Sequence, residues 1–215
     1  MIQGAIFDMD GVLLDNLHFH VEAFRRVGEE EGRSLRPDEV SAVFGRKTDE
    51  MFETLLGRSL SPAEADRLDR RKEAVYREMM RPHLEECVVG GLEAFLETLR
   101  ERAIPVALAT SGPVENVDMV LDGLRLRPHF SAVVTAAEVR RGKPDPEVFL
   151  KAAAGLGLRP ERCVVFEDSP SGIVAALRAG CRCVALATTL SPAELEKLSP
   201  YRIVPDFSAL TLEDL

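Results

Sequence analysis

The stretch GAIFDMDGVLLDN, residues 4–16, joins a short apolar segment to several aspartates. Residues 5–7 predict a strand buried on both faces, as in a parallel sheet, and Gly11 lets the chain turn tightly after it. Asp8 and Asp10 therefore lie at the carboxyl end of a core strand, where open α/β sheets bind ligands. Because two carboxylates this close repel each other, we expect a cation, a shared proton or several N–H donors beside them.

The composition of the 215-residue chain indicates a globular protein, since 46% of the residues are hydrophobic and 29% are charged. A net charge of −9 argues against nucleic acid or an anionic membrane as a partner. The first apolar stretch is short and contains aspartates, so it predicts neither a signal peptide nor a membrane span. The four cysteines form no CxxC pair and are interpreted as apolar core residues. We expect a cytoplasmic protein that acts as a monomer rather than as an obligate oligomer.

Two regions of the chain differ in periodicity. From residue 90 onward helices and strands alternate, which is typical of a parallel α/β sheet, whereas residues 16–85 predict helices and no strand. The predicted fold class is α/β, with a Rossmann-like parallel sheet core at 1–15 and 86–215 and an inserted all-helical cap at 16–85. Beyond the cap, the predicted strands are 104–110, 130–136, 162–168 and 181–187, with helices at 92–99, 114–124, 146–155 and 169–180. Ser169 as N-cap, Pro170 in the first turn and Gly180 at the end predict the bounds of the last helix. Within the cap, the SPAE motif at 61–64 predicts a capping box that opens a helix.

Polar residues suited to binding phosphate follow two of these elements. Thr110 and Ser111 end a strand just before a helix, where a hydroxyl and free N–H groups are available. Lys143 lies in the turn-rich loop RRGKPDP and could supply a fixed positive charge. Transfer of a phosphoryl group depends mainly on positioning and charge neutralisation, so we expect these residues to bind one.

Carboxylates end two of the predicted strands. Asp8 and Asp10 follow the first, and Glu167 and Asp168 end the strand at 162–168. Mg²⁺ binds a few carboxylates together with water and phosphate oxygens. A magnesium ion held by these four residues would also relieve their mutual repulsion.

The motifs DxDGV, strand-ending Thr-Ser, Gly-Lys-Pro and Glu-Asp follow one another between residues 8 and 168. In this order they resemble the haloacid dehalogenase superfamily, and the helical insertion is similar to the C1-type cap of its β-phosphoglucomutase/phosphatase branch. The resemblance implies that Asp8 is a nucleophile that forms an aspartyl phosphate. It also implies that Asp10 is the general acid/base and binds the metal through its main-chain carbonyl. A dehalogenase lacks the second aspartate, so Asp10 argues against dehalogenation.

Four cap residues are candidates for binding the substrate. Arg46 and Lys47 lie beside a predicted helix N-terminus, which could form an anion subsite or a solvated loop. His20 and Lys72 each lie on the apolar stripe of a helix, where a buried histidine is more often structural than functional. By the resemblance, a histidine and a lysine at these two positions help to close the cap.

These observations predict a Mg²⁺-dependent phosphatase that acts on a small phosphomonoester, with a sugar phosphate favoured. The alternative is a β-phosphoglucomutase-like hexose phosphate mutase. The family's phosphate-gripping cap arginine falls at Thr48 and its assisting asparagine at Val114, and both differences favour the phosphatase. Three other classes of protein are disfavoured. A phospho-relay receiver domain is shorter and lacks the helical insertion, and an inactive binding module would have substituted catalytic positions. A nicotinamide-binding fold is unsupported because the sequence contains no GxGxxG motif after a strand.

Overall fold

The computed structural model describes residues 2–43 and 48–215. It separates into two compact units: an α/β unit, Met1–Asp15 with Leu84–Leu215, and a helical unit, Asn16–His83. Among the described residues, no helix combines the length and the apolar character needed to cross a membrane.

The α/β unit is built on a parallel sheet, which confirms the predicted fold class. In the described part of the chain the sheet has six strands in the order β3-β2-β1-β4-β5-β6. The strands are β1 (Gly4–Phe7), β2 (Val106–Ala109), β3 (Phe130–Val134), β4 (Cys163–Glu167), β5 (Arg182–Leu186) and β6 (Arg202–Val204).

Helices connect these strands, and helices are the regular elements of the described part of the helical unit. In the helical unit they are α1 (Leu17–Glu30), α2 (Pro37–Val43), α3 (Thr48–Leu56) and α4 (Pro62–Met80). In the α/β unit they are α5 (Leu92–Glu101), α6 (Val114–Gly123), α7 (Glu147–Gly155), α8 (Pro170–Ala179) and α9 (Pro192–Glu196). Short 3-10 helices lie at Arg81–His83, Arg127–His129, Ala136–Glu138, Pro160–Arg162, Phe207–Ala209 and Leu212–Asp214.

Strand β1 runs through the centre of the core, and all four of its residues are buried. On one face Ile6 belongs to an apolar cluster with residues of α7 and α8. On the other face the Phe7 ring lies 4.6 Å from that of Phe166 and 5.6 Å from that of Phe207. Burial of one such side chain stabilises the fold by roughly 1.5–3 kcal/mol, which fixes the strand that carries Asp8.

Helix α8 begins directly after β4, and its capping residues explain where it starts and stops. The Ser169 side chain accepts a hydrogen bond from the Gly172 N–H, and Pro170 occupies the first turn. Gly180 ends the helix in the left-handed conformation, with φ of 85°. These caps, expected from the sequence, hold the segment after Glu167 in a defined position.

The helical unit has its own apolar core. Phe24 of α1 and Phe52 of α3 pack with ring centroids 4.8 Å apart, and α1 also packs against α4. A capping box formed by Ser61 and Glu64 starts α4, as the SPAE motif predicts. The unit Asn16–His83 therefore contains the helical insertion, for which the sequence predicted the bounds 16–85.

Candidate active site

Backbone pairing brings the first and last acidic motifs together. The strand order reverses between β1 and β4, the position where sheets of this kind bind ligands at their carboxyl ends. Phe7 is in register with Phe166, and the Asp8 N–H donates to the Phe166 carbonyl at 3.0 Å. Asp8 therefore lies next to Glu167, the last residue of β4, although they are far apart in sequence.

Lys143 joins the two carboxylates. Its Nζ donates to Asp8 Oδ1 at 2.8 Å and to Glu167 Oε1 at 2.7 Å, and the side chain is only 5% exposed. It also approaches the carbonyl oxygen of Ala109, at the end of β2, at 3.4 Å. The ammonium stands 4.9 Å from the centre of the Phe149 ring, a favourable cation–π distance. Lys143 is thus a fixed positive charge at the carboxyl ends of three strands.

The start of α8 is shaped around the Glu167 carboxylate. Glu167 Oε2 accepts hydrogen bonds from the N–H groups of Asp168 and Ser169, both at 2.8 Å, and from the Ser169 hydroxyl at 3.0 Å. A Cβ on Gly172 would overlap the carboxylate, so a side chain there is incompatible with this arrangement. Glu167 therefore has one fixed orientation.

Two segments position the Asp168 carboxylate: the β5–α9 loop, which donates a hydrogen bond to it, and the turn after β1, which leaves space for it. The Thr189 hydroxyl donates to Asp168 Oδ2, and the Thr188 hydroxyl donates to the Gly11 carbonyl at 2.6 Å. Gly11 has a φ of +75°, and a Cβ on it would overlap the Asp168 carboxylate. The predicted need for glycine at this turn is therefore twofold: the backbone conformation and the space for Asp168.

The electrostatics of the cluster follow from burial. Desolvation raises the pKa of Asp8 to about 7; Lys143 opposes this shift, and Glu167 adds to it. The pKa of Asp168 is raised well above its usual range by burial and by the neighbouring Glu167 and Asp8. Burial lowers the pKa of Lys143, but the two carboxylates outweigh this effect and the net shift is upward. Lys143 therefore stays charged, whereas the positive charge near Asp8 and Asp168 is too small to keep their pKa values in the usual range.

The three carboxylates of Asp8, Glu167 and Asp168 can hold a metal ion. Their ligand oxygens lie within 4.8 Å of one another, and all three residues are buried. Three carboxylates against one ammonium leave two negative charges uncompensated, which equals the charge of one divalent cation. Oxygen donors of this kind suit Mg²⁺, so the donor set fits the predicted metal.

The other predicted core residues lie at the same edge of the sheet. Asp10 is half-buried in the turn after β1, where it forms an isolated bridge with Leu14. Thr110, 1% exposed, directly follows β2, and its Oγ1 accepts a hydrogen bond from the Gly112 N–H at 2.9 Å. Ser111 is exposed to solvent. The binding of metal or phosphate by these residues stays a prediction.

The predicted cap residues divide into two groups. His20 and Lys72 meet inside the helical unit, with Lys72 Nζ 2.9 Å from His20 Nδ1 and 2.7 Å from Glu73 Oε1. Arg46 and Lys47 lie outside the described residues.

Two groups of site residues were not predicted from the sequence. Ser169 was expected to cap α8, but its hydroxyl also donates to Glu167. Thr188 and Thr189 follow β5, and a pair of hydroxyl residues at a strand end is the same signal that selected Thr110 and Ser111. Applying that rule to every strand would have found them.

Comparison with known proteins assigns the family. The model of the haloacid dehalogenase-like hydrolase family matches residues 5–186. The chain belongs to this family and is an enzyme of the hydrolase class. This confirms the resemblance that the order of the motifs indicated.

The relatives include several phosphatases. A chloroplastic 5-amino-6-(5-phospho-D-ribitylamino)uracil phosphatase of Arabidopsis thaliana is 34% identical over 187 residues, which are 86% of this chain but only 50% of that protein. A phosphorylated carbohydrates phosphatase of Thermotoga maritima is 34% identical, covering 83% of this chain and 82% of its own. A β-phosphoglucomutase of Bacillus subtilis is 30% identical, covering 83% and 80%.

A solved structure supports the fold over the whole chain. The HAD hydrolase of family IA, variant 3, from Entamoeba histolytica superposes with a TM-score of 0.93 at 27% identity. The alignment covers 99% of this chain and 97% of that one. The parallel sheet and the helical insertion are therefore features that this chain shares with a HAD hydrolase.

Proposed function

We propose that this enzyme is a Mg²⁺-dependent phosphatase that hydrolyses a small phosphomonoester, with a sugar phosphate as the substrate class. The observation that carries the proposal is the buried cluster of Asp8, Glu167 and Asp168 around Lys143. Its two uncompensated negative charges favour a divalent cation, and that cation together with Lys143 would neutralise a phosphoryl group. The relatives named as phosphatases, including one for phosphorylated carbohydrates, support the substrate class.

In the proposed reaction, an oxygen of Asp8 attacks phosphorus and the bond to the leaving alcohol breaks. Asp10 protonates the departing oxygen and then takes a proton from the water that hydrolyses the aspartyl phosphate. Lys143 neutralises charge on the phosphoryl oxygens as well as on Asp8, and Thr110 and Ser111 bind the same group. The hydrogen-bonded framework of Glu167 keeps Lys143 in place for both steps.

The metal would be held by the carboxylates of Asp8, Glu167 and Asp168, with the Asp10 main-chain carbonyl, and would supply charge neutralisation for the phosphoryl oxygens. Among the described contacts, Glu167 Oε1 accepts only from Lys143, which leaves a lone pair on that atom. Thr189 would keep Asp168 oriented toward the ion. With a divalent cation bound, these three carboxylates and Lys143 would carry no net charge before a substrate arrives.

The β-phosphoglucomutase relative makes a mutase the second candidate. A mutase must hold the non-reacting phosphate of a bisphosphate, for which a bidentate arginine is well suited. Thr48 instead begins α3 and forms a side-chain hydrogen bond with Asp69, while Val114 is apolar and 48% exposed. Neither residue offers a cation, so the phosphatase is favoured. Arg46 or Lys47 could take over this role.

The test is to incubate the enzyme with β-glucose 1-phosphate and a trace of the 1,6-bisphosphate, and to follow glucose 6-phosphate and inorganic phosphate together. A panel of other sugar, nucleotide and glycolate phosphates extends the search for a substrate. We expect release of inorganic phosphate that stops with excess chelator. Rapid isomerisation with little phosphate release would instead establish the mutase.

Two variants test the assigned chemistry with a matched control. Asp8→Asn should abolish turnover, and Asp10→Asn should slow it by about 10²–10⁴-fold, as expected for loss of a general acid/base. Asp118→Asn makes the same chemical change at an exposed residue that pairs with Arg127, and it should leave turnover unchanged. Full activity of the Asp8→Asn variant would rule out Asp8 as the nucleophile.

A further inference from the structure

A pocket lies at the opposite edge of the sheet from the carboxylate cluster. It has a volume of about 340 Å³ and is lined by Ile2, Arg159, Glu161, Arg162 and Arg182. This volume is within the roughly 300–1,000 Å³ range of small-molecule sites. None of the lining residues takes part in the proposed phosphatase reaction.

The position of the pocket follows from the strands. Ile2 precedes β1, Arg162 precedes β4, and Arg182 is the first residue of β5. Strand β4 has five residues, and at roughly 3.3 Å per residue its two ends are about 13 Å apart. The pocket therefore lies at the amino ends of the central strands and is separate from the cluster at their carboxyl ends.

The charge of the pocket is unusual for this protein. Three guanidinium groups and one carboxylate leave two positive charges, although the whole chain has a net charge of −9. Arg71 and Arg127, by contrast, are paired with carboxylates at 2.6 and 2.7 Å. In residues 2–43 and 48–215, no carboxylate lies within ion-pair distance of any of the three pocket arginines.

One of these arginines is also oriented by the fold. The Arg182 guanidinium lies over the Tyr201 ring, with its Cζ 5.2 Å from the ring centre, a favourable cation–π distance. A cation–π contact does not use up the N–H groups of a guanidinium, which stay available for a bidentate acceptor. The carboxylate that would most simply neutralise such a group, Glu161, lines the pocket without pairing with it.

We propose that this pocket binds a phosphoryl dianion, either free phosphate or the phosphate of a small metabolite, as a site distinct from the catalytic one. Two uncompensated positive charges match a dianion, and guanidinium forks match the geometry of phosphate oxygens. The proposal is independent of the phosphatase reaction, because it depends on no residue of the carboxylate cluster.

The experiment is an NMR titration of the wild-type enzyme that follows the arginine Nε–Hε resonances at pH 8 and constant ionic strength. The signals of Arg159, Arg162 and Arg182 are assigned from single Arg→Lys variants. The probes are inorganic phosphate and ethylphosphonate, whose carbon–phosphorus bond a phosphatase cannot hydrolyse. We expect saturable shifts of these three signals. Saturation by both probes indicates a site for esterified phosphate, and saturation by phosphate alone indicates a site for the free anion.

Charge-removing variants complete the test. Arg182→Gln should weaken binding at the pocket by about tenfold or more, because a hydrogen bond to a charged group contributes roughly 1.5–3 kcal/mol. Arg102→Gln removes an exposed guanidinium at the end of α5 and should change nothing. If Arg182→Gln impairs folding, Arg159→Gln replaces it as the variant that removes a charge from the pocket. Non-saturating shifts equal to those of Arg102, or unchanged affinity in a folded Arg182→Gln or Arg159→Gln variant, would overturn the proposal.

Discussion

Each of the two units contains a buried lysine beside an aromatic ring, but the two lysines have different partners. Lys143 of the α/β unit contacts Asp8 and Glu167, while Lys72 of the helical unit contacts Glu73 and His20 Nδ1. Lys72 also acts electrostatically on the nearby Asp69 carboxylate. Among the described residues, only the cluster around Lys143 brings three carboxylates within reach of one metal ion, so we expect the two lysines to differ in function.

The largest expected effect is a loss of kcat/KM when Lys143, but not Lys72, is replaced. Lys143→Met removes the ammonium that bridges Asp8 and Glu167 and with it the proposed charge partner of the phosphoryl group. We expect kcat/KM to fall by about 10³-fold or more, since loss of one preorganised electrostatic contact costs about 10²–10³ and the carboxylate repulsion adds to it. The matched control is Lys151→Met at an exposed ion pair with Glu147, which should keep full activity.

The next effect concerns stability rather than catalysis. Lys72→Met leaves the buried Glu73 without its ammonium partner, so the free energy of unfolding should fall by about 3 kcal/mol. Urea denaturation measures this change, and kcat/KM of the folded variant should stay within tenfold of the wild type. A folded Lys72→Met enzyme with a hundredfold loss of activity would instead support the predicted role of Lys72 in binding the substrate, or the role in closing the cap that the resemblance implies.

A smaller effect sharpens the description of the α/β cluster. Thr189→Val preserves the shape of the side chain and removes the hydroxyl that donates to Asp168. Loss of a group that orients a metal ligand lowers metal affinity by about 10–100-fold, so more Mg²⁺ should be needed for half-maximal activity. Thr98→Val, which removes a hydroxyl bonded to the Ala94 carbonyl in α5, is the control and should leave the Mg²⁺ requirement as it is.

The smallest effect is a pH-dependent stabilisation by Mg²⁺. Because the pKa of Asp8 rises from 3.8 to about 7 on folding, the folded protein binds a proton that the unfolded chain has lost between these values. This group therefore lowers stability as the pH rises from about 4 to 7. Mg²⁺ needs the ionised carboxylate and should offset that loss above pH 7 but not at pH 5.

Thermal unfolding at the two pH values measures this difference. With Mg²⁺ at about five times its dissociation constant at pH 8, the stabilisation is about 1 kcal/mol, or roughly 2–4 °C for a chain of this size. At pH 5 the shift should nearly vanish, and sodium chloride of equal ionic strength should not reproduce it. An equal Mg²⁺ shift at both pH values would show that ionisation of Asp8 does not control binding.

Local signals in the sequence were sufficient for most of the fold. The run at 5–7 predicted β1 because a strand covered on both faces is apolar throughout, and the structure extends it by one residue to Gly4. The caps of α8 and α4 were predicted because capping depends on residues within one helical turn. Strand ends were less accurate: 104–110 was predicted where β2 spans Val106–Ala109.

What the sequence did not reveal depends on contacts between distant segments. Lys72 and His20 were each placed on an apolar stripe, but their pairing depends on how α1 and α4 cross. Thr189 follows β5 much as Thr110 follows β2, but its hydrogen bond to Asp168 depends on the pairing of β4 with β5. The order of the motifs did predict the cluster around Lys143, since parallel strands bring their carboxyl ends to one edge.

The absence of a side chain at Gly172 and Gly11 has a consequence for how this enzyme tolerates sequence change. Both positions lack a side chain because a carboxylate, that of Glu167 or Asp168, fills the volume where a Cβ would stand. Neither glycine supplies a reacting atom, yet even alanine there displaces an acid of the cluster. In a saturation mutagenesis screen for turnover, these two glycines should therefore be as intolerant as the aspartates, and drift at either position is constrained by chemistry rather than by folding alone.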